Sequence, residues 1–328
     1  MRVTVLSEAE IRSFVTVDRE AMAAVAEGFT RLAEGRTVTP PVTCIEIPEH
    51  DGEVDIKTAY VDGLDSFAVK IASGFFSNPA RGLPYGSGVM ILISAETGIP
   101  QALLADNGYL TEVRTGLAGA IAAEHLAPEL VDTVGVVGSG SQARYQMRGL
   151  SLVREFGRLL VYGLVADEVQ DYADEMEREL GVTVVVSPTI EKVVRESDVL
   201  ITTTPAREPF VEPQWLHLGM HITAMGADAP YKQELFSGCL GKADLVVCDR
   251  LAQCRLIGET HHALDAGDLR EEQIVELGQI TAGLHPGRTD DRDITVCDLT
   301  GVGVQDTAIA RLAFSRAAER GLGTVFDS

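Results

Sequence analysis

The stretch TVGVVGSGSQARYQMR, from Thr133 to Arg148, constrains the fold more than any other part of the chain. Its run of β-branched residues predicts a strand, and the polar pattern after the glycines predicts a helix. Between them, Gly138, Gly140 and Ala143 have the spacing of a GxGxxA turn. A turn of this kind, placed between a strand and a helix, is typical of the first βαβ unit of a dinucleotide-binding fold.

Each small residue of this turn has a physical role in that interpretation. Gly138 permits the tight turn, Gly140 lets a pyrophosphate approach the backbone, and Ala143 allows the helix to pack closely on the strand. The following helix N-terminus provides partial positive charge for the phosphates. The alternative is a glycine-rich turn that binds no ligand.

The segment LLVYGLVAD, which ends the second predicted strand of this fold, bears on the choice of cofactor. An acidic residue that binds the ribose 2′-hydroxyl is expected near Gly163 and is absent, as is an arginine for a 2′-phosphate. NAD is therefore favoured over NADP. Asp167 is a distant substitute for the acidic residue, and we expect it instead to cap the next helix.

From Thr133 onward, short apolar strands alternate with helical patterns, which predicts a parallel doubly wound sheet. The strands are predicted at Val134–Val137, Leu159–Tyr162, Thr183–Val186, Val199–Thr203, Met220–Met225 and Leu245–Cys248. The first third has a different pattern, with turns and a hairpin that predict an antiparallel sheet. Its strands are predicted at Val42–Ile47, Val54–Tyr60, Phe67–Ile71, Val89–Ser94 and Gln101–Ala105, with Thr97-Gly98 at a hairpin tip.

Four helices are predicted outside the alternating part. The first follows a Ser-x-x-Glu capping box, the second an aspartate N-cap, and the third, rich in glycine and alanine, a threonine cap. They begin at Ser7, Asp18, Thr111 and about Val304, and the last two end at about Leu126 and Arg320.

Composition excludes several classes of function. The formal net charge is −22, from 27 Lys and Arg against 49 Asp and Glu, and such a surface repels nucleic acid. An anionic substrate would therefore need a local basic pocket. No segment is apolar enough to span a membrane, no signal peptide is expected, and the five scattered cysteines lack metal-site spacing. We expect a cytoplasmic protein without a bound metal.

Six segments, in this order along the chain, carry a resemblance to a known family. They are VKIASGFFSNPARGLP, LLADNGYLTEVRTGLAGAIAAEHLA, GVVGSGSQA, SDVLITTTPAREPFV, GMHITAMGADAPYKQEL and DLTGVGVQDTAIA. Together they resemble the ornithine cyclodeaminase/μ-crystallin family across nearly the whole chain. The resemblance is strongest to its branch of ectoine-utilisation cyclodeaminase-like proteins and iminosuccinate reductases.

The resemblance implies an α/β architecture in which a Rossmann-type doubly wound parallel sheet is inserted into an α+β domain. Residues 118–302 would form the dinucleotide-binding domain. Residues 1–117 and 303–328 would form a substrate-binding and dimerisation domain. An insertion of this kind explains why the glycine turn comes so late. Because natural proteins rarely leave strand edges bare, we also expect a homodimer through the first third.

The resemblance also implies site residues. Lys70 matches the active-site lysine of the family, Arg114 the arginine that binds the substrate carboxylate, and Asp228 the catalytic aspartate. Taken singly, each has a structural alternative: a lysine at a strand edge, an ion pair on a helix and a loop cap. The NAD-binding residues implied are Thr115, Gly138, Ser139, Gly140, Ser141, Gln142, Ala143, Thr203, Thr204, Met225, Gly226 and Gly301.

One position departs from the ornithine cyclodeaminases. Thirteen residues before the active-site lysine those enzymes carry a glutamate, followed by Leu-Met-Pro, whereas this chain has Lys57. An ammonium there would repel the cationic side chain of ornithine and attract an anionic one. The alternative is that Lys57 faces solvent, since sequence alone does not fix its distance from Lys70.

Lys57, Lys70 and Arg114 form a cationic set that suits a small dicarboxylate. The predicted reaction is NADH-dependent reduction of an α-imino acid, with iminosuccinate going to L-aspartate as the best fit and Asp228 as the proton donor. The alternatives are an ornithine cyclodeaminase-type ammonia lyase, a cyclic ketimine reductase, an N-(carboxyalkyl)amino-acid dehydrogenase and a non-catalytic ligand-binding protein like μ-crystallin.

Overall fold

The computed structural model describes residues 2–327, and the chain divides into two compact units. Unit 1 comprises Met1–Arg114 and Val302–Ser328, and unit 2 comprises Thr115–Gly301. The strands are β1 (Arg2–Ser7), β2 (Thr37–Val38), β3 (Thr43–Ile47), β4 (Gly52–Val61), β5 (Ser66–Phe75), β6 (Gly86–Ser94), β7 (Pro100–Ala105), β8 (Thr133–Val137), β9 (Arg158–Tyr162), β10 (Thr183–Val186), β11 (Val199–Thr202), β12 (His221–Ala224), β13 (Leu245–Cys248), β14 (Ile274–Glu276), β15 (Thr295–Asp298) and β16 (Thr324–Asp327).

The α-helices are fewer and differ widely in length. They are α1 (Glu8–Arg12), α2 (Arg19–Ala33), α3 (Tyr109–Leu126), α4 (Ser141–Leu150), α5 (Ala166–Leu180), α6 (Ile190–Arg195), α7 (Gly238–Lys242), α8 (Leu251–Cys254), α9 (Gly258–Ala266), α10 (Leu277–Thr281) and α11 (Gly303–Arg320). Helix α3 contains the boundary between the two units.

Unit 1 is built on an eight-stranded sheet in the order β16-β1-β7-β6-β5-β4-β2, with β3 also paired to β4. Most neighbours are antiparallel, including the hairpin of β6 and β7, as the turn-rich sequence predicts. The prediction of a purely antiparallel sheet is wrong, because β1 pairs in parallel with β7. Strand β1 was not anticipated, since the capping box of α1 follows it directly.

Helices α2 and α11 cover one face of the unit 1 sheet. Glycines permit the close approach: a Cβ on Gly303 would lie 2.4 Å from the Thr58 carbonyl oxygen, and one on Gly28 would lie 3.2 Å from the Val304 carbonyl oxygen. The Thr307 hydroxyl donates to the Ala59 carbonyl in β4 (2.7 Å) and accepts from the Ala68 backbone amide in β5 (3.0 Å). The C-terminal helix is therefore fixed against the strands of the first third.

The caps predicted for the first three helices are confirmed in two cases and contradicted in one. Ser7 and Glu10 form the capping box of α1, and Asp18 caps α2 through the Ala21 amide (2.8 Å). Thr111 does not cap α3, which begins two residues earlier. The Asp106 carboxylate accepts from the Leu110 amide at 2.8 Å and takes that role.

Unit 2 is a doubly wound α/β fold. Its eight strands are all parallel, in the order β10-β9-β8-β11-β12-β15-β13-β14. The six predicted strands are present, and β14 and β15 were not anticipated. Apolar side chains on both faces form two buried clusters, which is why the strands consist of near-continuous hydrophobic residues.

Asp167 does not cap α5, contrary to expectation. The N-cap is Val165, which makes no side-chain hydrogen bond, and Asp167 lies in the first turn of the helix. A carboxylate in that position still interacts favourably with the helix dipole.

Candidate active site

The two lysines of the cationic set lie side by side in the unit 1 sheet. Lys57 in β4 is directly opposite Lys70 in the antiparallel register with β5. Because side chains of directly opposed residues point to the same face, both lysines face the side that α11 covers. Lys57 is only 7% exposed and Lys70 only 2% exposed. The interpretation of Lys57 as a solvent-facing strand residue is therefore wrong.

Arg114 and Asp306 complete this cluster. Asp306 Oδ1 lies 3.1 Å from Lys70 Nζ and 3.1 Å from Arg114 Nε. The Arg114 guanidinium also donates to the Gln305 side-chain oxygen at 3.2 Å, and that oxygen accepts from the Val302 amide at 2.8 Å. We call Lys57, Lys70, Arg114 and Asp306 the cationic pocket: Lys70 and Arg114 share the buried Asp306 carboxylate, and Lys57 lies directly opposite Lys70.

Burial strongly perturbs the groups around Lys70. Burial, the neighbouring Arg114 and Lys57 lower the pKa of Lys70 from 10.5 to about 7, against the raising effect of Asp306. Burial raises the pKa of Asp106 to about 6, while the backbone amide of Leu110 and the charge of Lys70 lower it. Two groups with pKa values near neutrality in one pocket are typical of an active site.

The glycine turn of unit 2 has the geometry of a phosphate cradle. Gly138 has φ +109°, and a Cβ there would lie 2.5 Å from Thr203 Oγ1, so only glycine fits. A Cβ on Gly140 would meet no atom within 4 Å, and Gly140 starts α4 without a side-chain cap. The exposed amides of that helix terminus can thus bind an anion. Ala143 is fully buried, as its packing role predicts.

Gly163 and Leu164 directly follow β9, where the sequence lacks the acidic or basic side chain that would select a cofactor. A Cβ on Gly163 would lie 3.1 Å from Ser139 Oγ, so the chain passes close to the glycine turn here. Leu164, the next residue, is 92% exposed. Neither residue offers a charged group to a ribose or a 2′-phosphate.

Glu234 organises the loops that hold the other implied cofactor residues, and the sequence reasoning missed it. This fully buried carboxylate accepts from the Thr202 hydroxyl (2.6 Å), from the Thr204 amide and hydroxyl (2.6 and 2.7 Å), and from the Gly226 amide (2.9 Å). It thereby ties the end of β11 to the loop after β12. It follows two polar residues, Lys232 and Gln233, so the sequence gave no signal of a buried carboxylate.

Three further implied cofactor residues have partners within unit 2. The Gln146 side-chain amide donates to the Thr115 carbonyl at 3.0 Å and to Gln142 at 3.2 Å. The Gly301 amide donates to Asp249 at 2.6 Å. Ser139, Ser141 and Met225 lie at the turn, at the start of α4 and directly after β12.

Asp228 belongs to unit 2 and has an ion-pair partner that the sequence did not predict. Lys232 Nζ donates to Asp228 Oδ1 at 2.6 Å. The Lys232 side chain is buried, whereas that of Asp228 is about half exposed. The two side chains therefore form an ion pair within unit 2.

The described residues form neither a metal-binding cluster nor a membrane-spanning helix. Between residues 2 and 327 there is no group of three or more His, Cys, Asp and Glu side chains that could hold a metal ion. Over the same range, no helix is both long and apolar enough to cross a membrane. The five cysteines are free thiols, of which only Cys44 is exposed.

Comparison with known proteins assigns the family. The sequence profile of the ornithine cyclodeaminase/mu-crystallin family matches residues 1–321. The chain belongs to this family. An uncharacterized cyclodeaminase from Sinorhizobium fredii is 44% identical over 326 residues, which cover 99% of this chain and 98% of that protein.

Two solved structures of the family share the whole fold. An archaeal alanine dehydrogenase dimer with bound NAD is 34% identical, with a TM-score of 0.93, and the match covers 100% of this chain and 99% of that one. The iminosuccinate reductase of Paracoccus denitrificans, in complex with NAD⁺, is 28% identical, with a TM-score of 0.91 and full coverage of both chains. The predicted Rossmann-type α/β fold is thus confirmed.

Proposed function

We propose that this member of the ornithine cyclodeaminase/mu-crystallin family is an NAD(H)-dependent reductase of a small α-imino dicarboxylic acid, with iminosuccinate going to L-aspartate. The observation that carries the proposal is the register of Lys57 opposite Lys70. Two buried ammonium groups next to Arg114 favour a ligand with two carboxylates over a ligand with an amine. The position that is a glutamate in ornithine cyclodeaminases is here a buried cation.

Unit 2 would hold the cofactor through the glycine turn, Thr203, Thr204 and the loop after β12. The fit rests on the Gly138 conformation, the open space over Gly140 and the Glu234 hydrogen bonds. The chemistry that NADH would supply at this site is hydride donation to the carbon of an imine. Gly163 and Leu164, directly after β9, carry no charge that could bind a 2′-phosphate, which favours NAD over NADP.

The charged residues of the chain would bind the substrate and transfer the proton. Arg114 binds the α-carboxylate with help from Lys70, and Lys57 binds the distal carboxylate. Asp228 gives a proton to the imine nitrogen, and Lys232 stabilises the carboxylate that results. The product amine therefore gains one hydrogen at C2 and one at nitrogen.

We also propose that two copies of the chain associate through the uncovered face of the unit 1 sheet. Most side chains in the middle of this face, opposite α11, are apolar and only half-buried. They include Ile56, Tyr60, Phe67, Val69, Ile71, Val89, Ile91, Ile93 and Leu103. A largely apolar sheet face that no helix covers normally packs against a partner. The related alanine dehydrogenase is a dimer.

The resemblance to alanine dehydrogenase, 34% identical over the whole chain, favours a second candidate. In that case the substrate would be the imine of pyruvate, which has no distal carboxylate. The deciding experiment measures NADH oxidation with oxaloacetate and with pyruvate, each with excess ammonium. A kcat/KM that is higher for oxaloacetate supports the proposal, and a preference for pyruvate overturns it.

The same assay separates the other activities. Release of ammonia from ornithine without net change in NADH would indicate a cyclodeaminase. Preferential reduction of a cyclic ketimine, such as pyrroline-2-carboxylate, would indicate a ketimine reductase. Preference for a 2-oxo acid with an amino acid in place of ammonium would indicate an N-(carboxyalkyl)amino-acid dehydrogenase. Ligand binding without turnover of any imine would indicate a binding protein.

A further inference from the structure

Asp306 is a fully buried carboxylate on the first turn of α11, and it contacts two of the three cations in the cationic pocket. Its Oδ1 lies 3.1 Å from both Lys70 Nζ and Arg114 Nε. Among the described residues 2–327, neither carboxylate oxygen has a donor aligned for a hydrogen bond. The contacts are therefore ion pairs in which one oxygen serves two cations.

The chain topology makes this contact specific. Lys70 comes from a central strand, Arg114 from α3 and Asp306 from the last helix, and all three belong to unit 1. The neighbouring Gln305 accepts from the same guanidinium, so two successive residues of α11 restrain Arg114. A buried carboxylate without a partner would be costly, and removing one member of such a cluster leaves uncompensated charge.

We propose that Asp306 is a positioning residue, which holds the Lys70 ammonium and the Arg114 guanidinium at a fixed separation so that both bind the substrate carboxylates. The proposal rests on the reductase activity proposed above. It assigns no contact between Asp306 and the substrate. Asp306 acts through the two cations.

Asp306 also raises the pKa of Lys70, against the larger lowering effect of burial. The charged groups around Lys70 are Arg114, Lys57, Asp306 and Asp106. Burial, Arg114 and Lys57 lower the pKa of Lys70, and Asp306 raises it, with a result of about 7. In Asp306→Asn the raising effect disappears, so the pKa of Lys70 falls and the amine becomes neutral at pH 7.

The expected change in ligand affinity of Asp306→Asn is opposite to the change that net charge alone predicts. Removal of a negative charge from the pocket should by itself strengthen binding of a dianion. If Asp306 positions and charges Lys70, Asp306→Asn should instead weaken succinate binding at pH 7 by roughly 10-fold, the value of one charge-assisted contact. At pH 5.5 Lys70 carries its proton more fully in both proteins, and the difference should shrink.

The first test is independent of any activity. The full-length protein is labelled with ¹³C-lysine, and the Lys70 Cε resonance, assigned with Lys70→Arg, is followed by NMR against pH. We expect a lower titration midpoint in Asp306→Asn than in wild type. The control is Asp65→Asn, which removes an exposed carboxylate that pairs with Arg311 on the same helix. An unchanged Lys70 midpoint in Asp306→Asn would overturn the proposal.

The second test is calorimetric titration with succinate at pH 5.5 and 7. Tighter binding by Asp306→Asn at both pH values would also overturn the proposal. If Asp306→Asn does not fold, Asp306→Glu replaces it. The longer acid keeps the charge, so we expect the Lys70 midpoint to stay near 7 and imine kcat/KM to fall. Unchanged kcat/KM in that variant would contradict a positioning role. A wild-type enzyme that reduces no imine would refute the proposed function, whereas the NMR result would still decide the role of Asp306.

Discussion

Replacement of Lys57 by alanine separates a dicarboxylate reductase from a monocarboxylate one. Lys57 lies directly opposite Lys70 and is almost fully buried, so its ammonium would contact a bound distal carboxylate away from bulk water. A charge-assisted contact of this kind contributes about 1.5–3 kcal/mol. The expected loss of kcat/KM for iminosuccinate is therefore roughly 10- to 150-fold.

The structure adds a pH signature to this loss. Because Lys57 lowers the pKa of Lys70, its removal lets Lys70 keep its proton to a higher pH. At pH 8 the wild-type Lys70 is mostly neutral, so the variant regains some positive charge and part of the loss is offset. At pH 6 Lys70 is mostly protonated in both proteins. We therefore expect a larger loss at pH 6 than at pH 8.

The assay is initial-rate NADH oxidation with the imines of oxaloacetate and pyruvate, at both pH values. Lys57→Met keeps most of the side-chain volume and controls for the cavity that alanine leaves. Lys192→Ala removes a half-exposed lysine of α6 and should change nothing. Lys57→Glu restores the charge found in cyclodeaminases and should nearly abolish the dicarboxylate reaction. It need not create ornithine activity.

Two results would refute the reasoning. Equal losses of kcat/KM for both imines would mean that Lys57 stabilises the pocket but does not bind the distal carboxylate. No loss for either imine would mean that its burial has no consequence for the substrate. In both cases the chain would still belong to the family, but Lys57 would no longer indicate a dicarboxylate substrate.

Four further outcomes are expected. NADH should exceed NADPH in kcat/KM, because the end of β9 has no cation for a 2′-phosphate; steady-state kinetics with both cofactors test this, and a preference for NADPH contradicts it. Asp228→Asn should lower kcat by about 10²–10⁴-fold while NADH binding, followed by fluorescence, stays near that of the wild type; an active variant would move the proton donor elsewhere. Val69→Lys on the uncovered sheet face should convert a dimer to monomers in light scattering, whereas Leu284→Lys, at an exposed site of unit 2, should not; a monomeric wild type would exclude the interface. Burial raises the pKa of Asp298 from 3.8 to about 7, so the stability that its protonated form contributes is lost as pH rises from about 4 through 7. Calorimetry should therefore show that Tm falls less steeply over this pH range in Asp298→Asn than in the wild type. Parallel plots of Tm against pH for the two proteins would contradict the raised pKa of Asp298.

Local sequence patterns determined most of the secondary structure and the cofactor fold. The glycine turn specified its own backbone conformation, since only glycine adopts φ +109° at residue 138 and leaves room for Thr203. Alternating apolar segments specified the parallel sheet of unit 2, because strands buried on both faces must be apolar throughout. Strands β1, β2, β14, β15 and β16 were missed, since short segments carry little periodic signal next to caps and loops.

The identities of three cations were also evident in the sequence, but their arrangement was not. Lys57 and Lys70 lie on different strands, and only the register of β4 with β5 places them opposite each other. Asp306 follows Lys70 by more than two hundred residues and reaches it because α11 packs back onto the first sheet. Lys232 and Glu234 gave no signal as site residues, because their roles depend on the partners that folding brings to them. Residue types follow from the sequence, whereas distances and burial, and with them the pKa of Lys70, depend on long-range packing that no local pattern encodes.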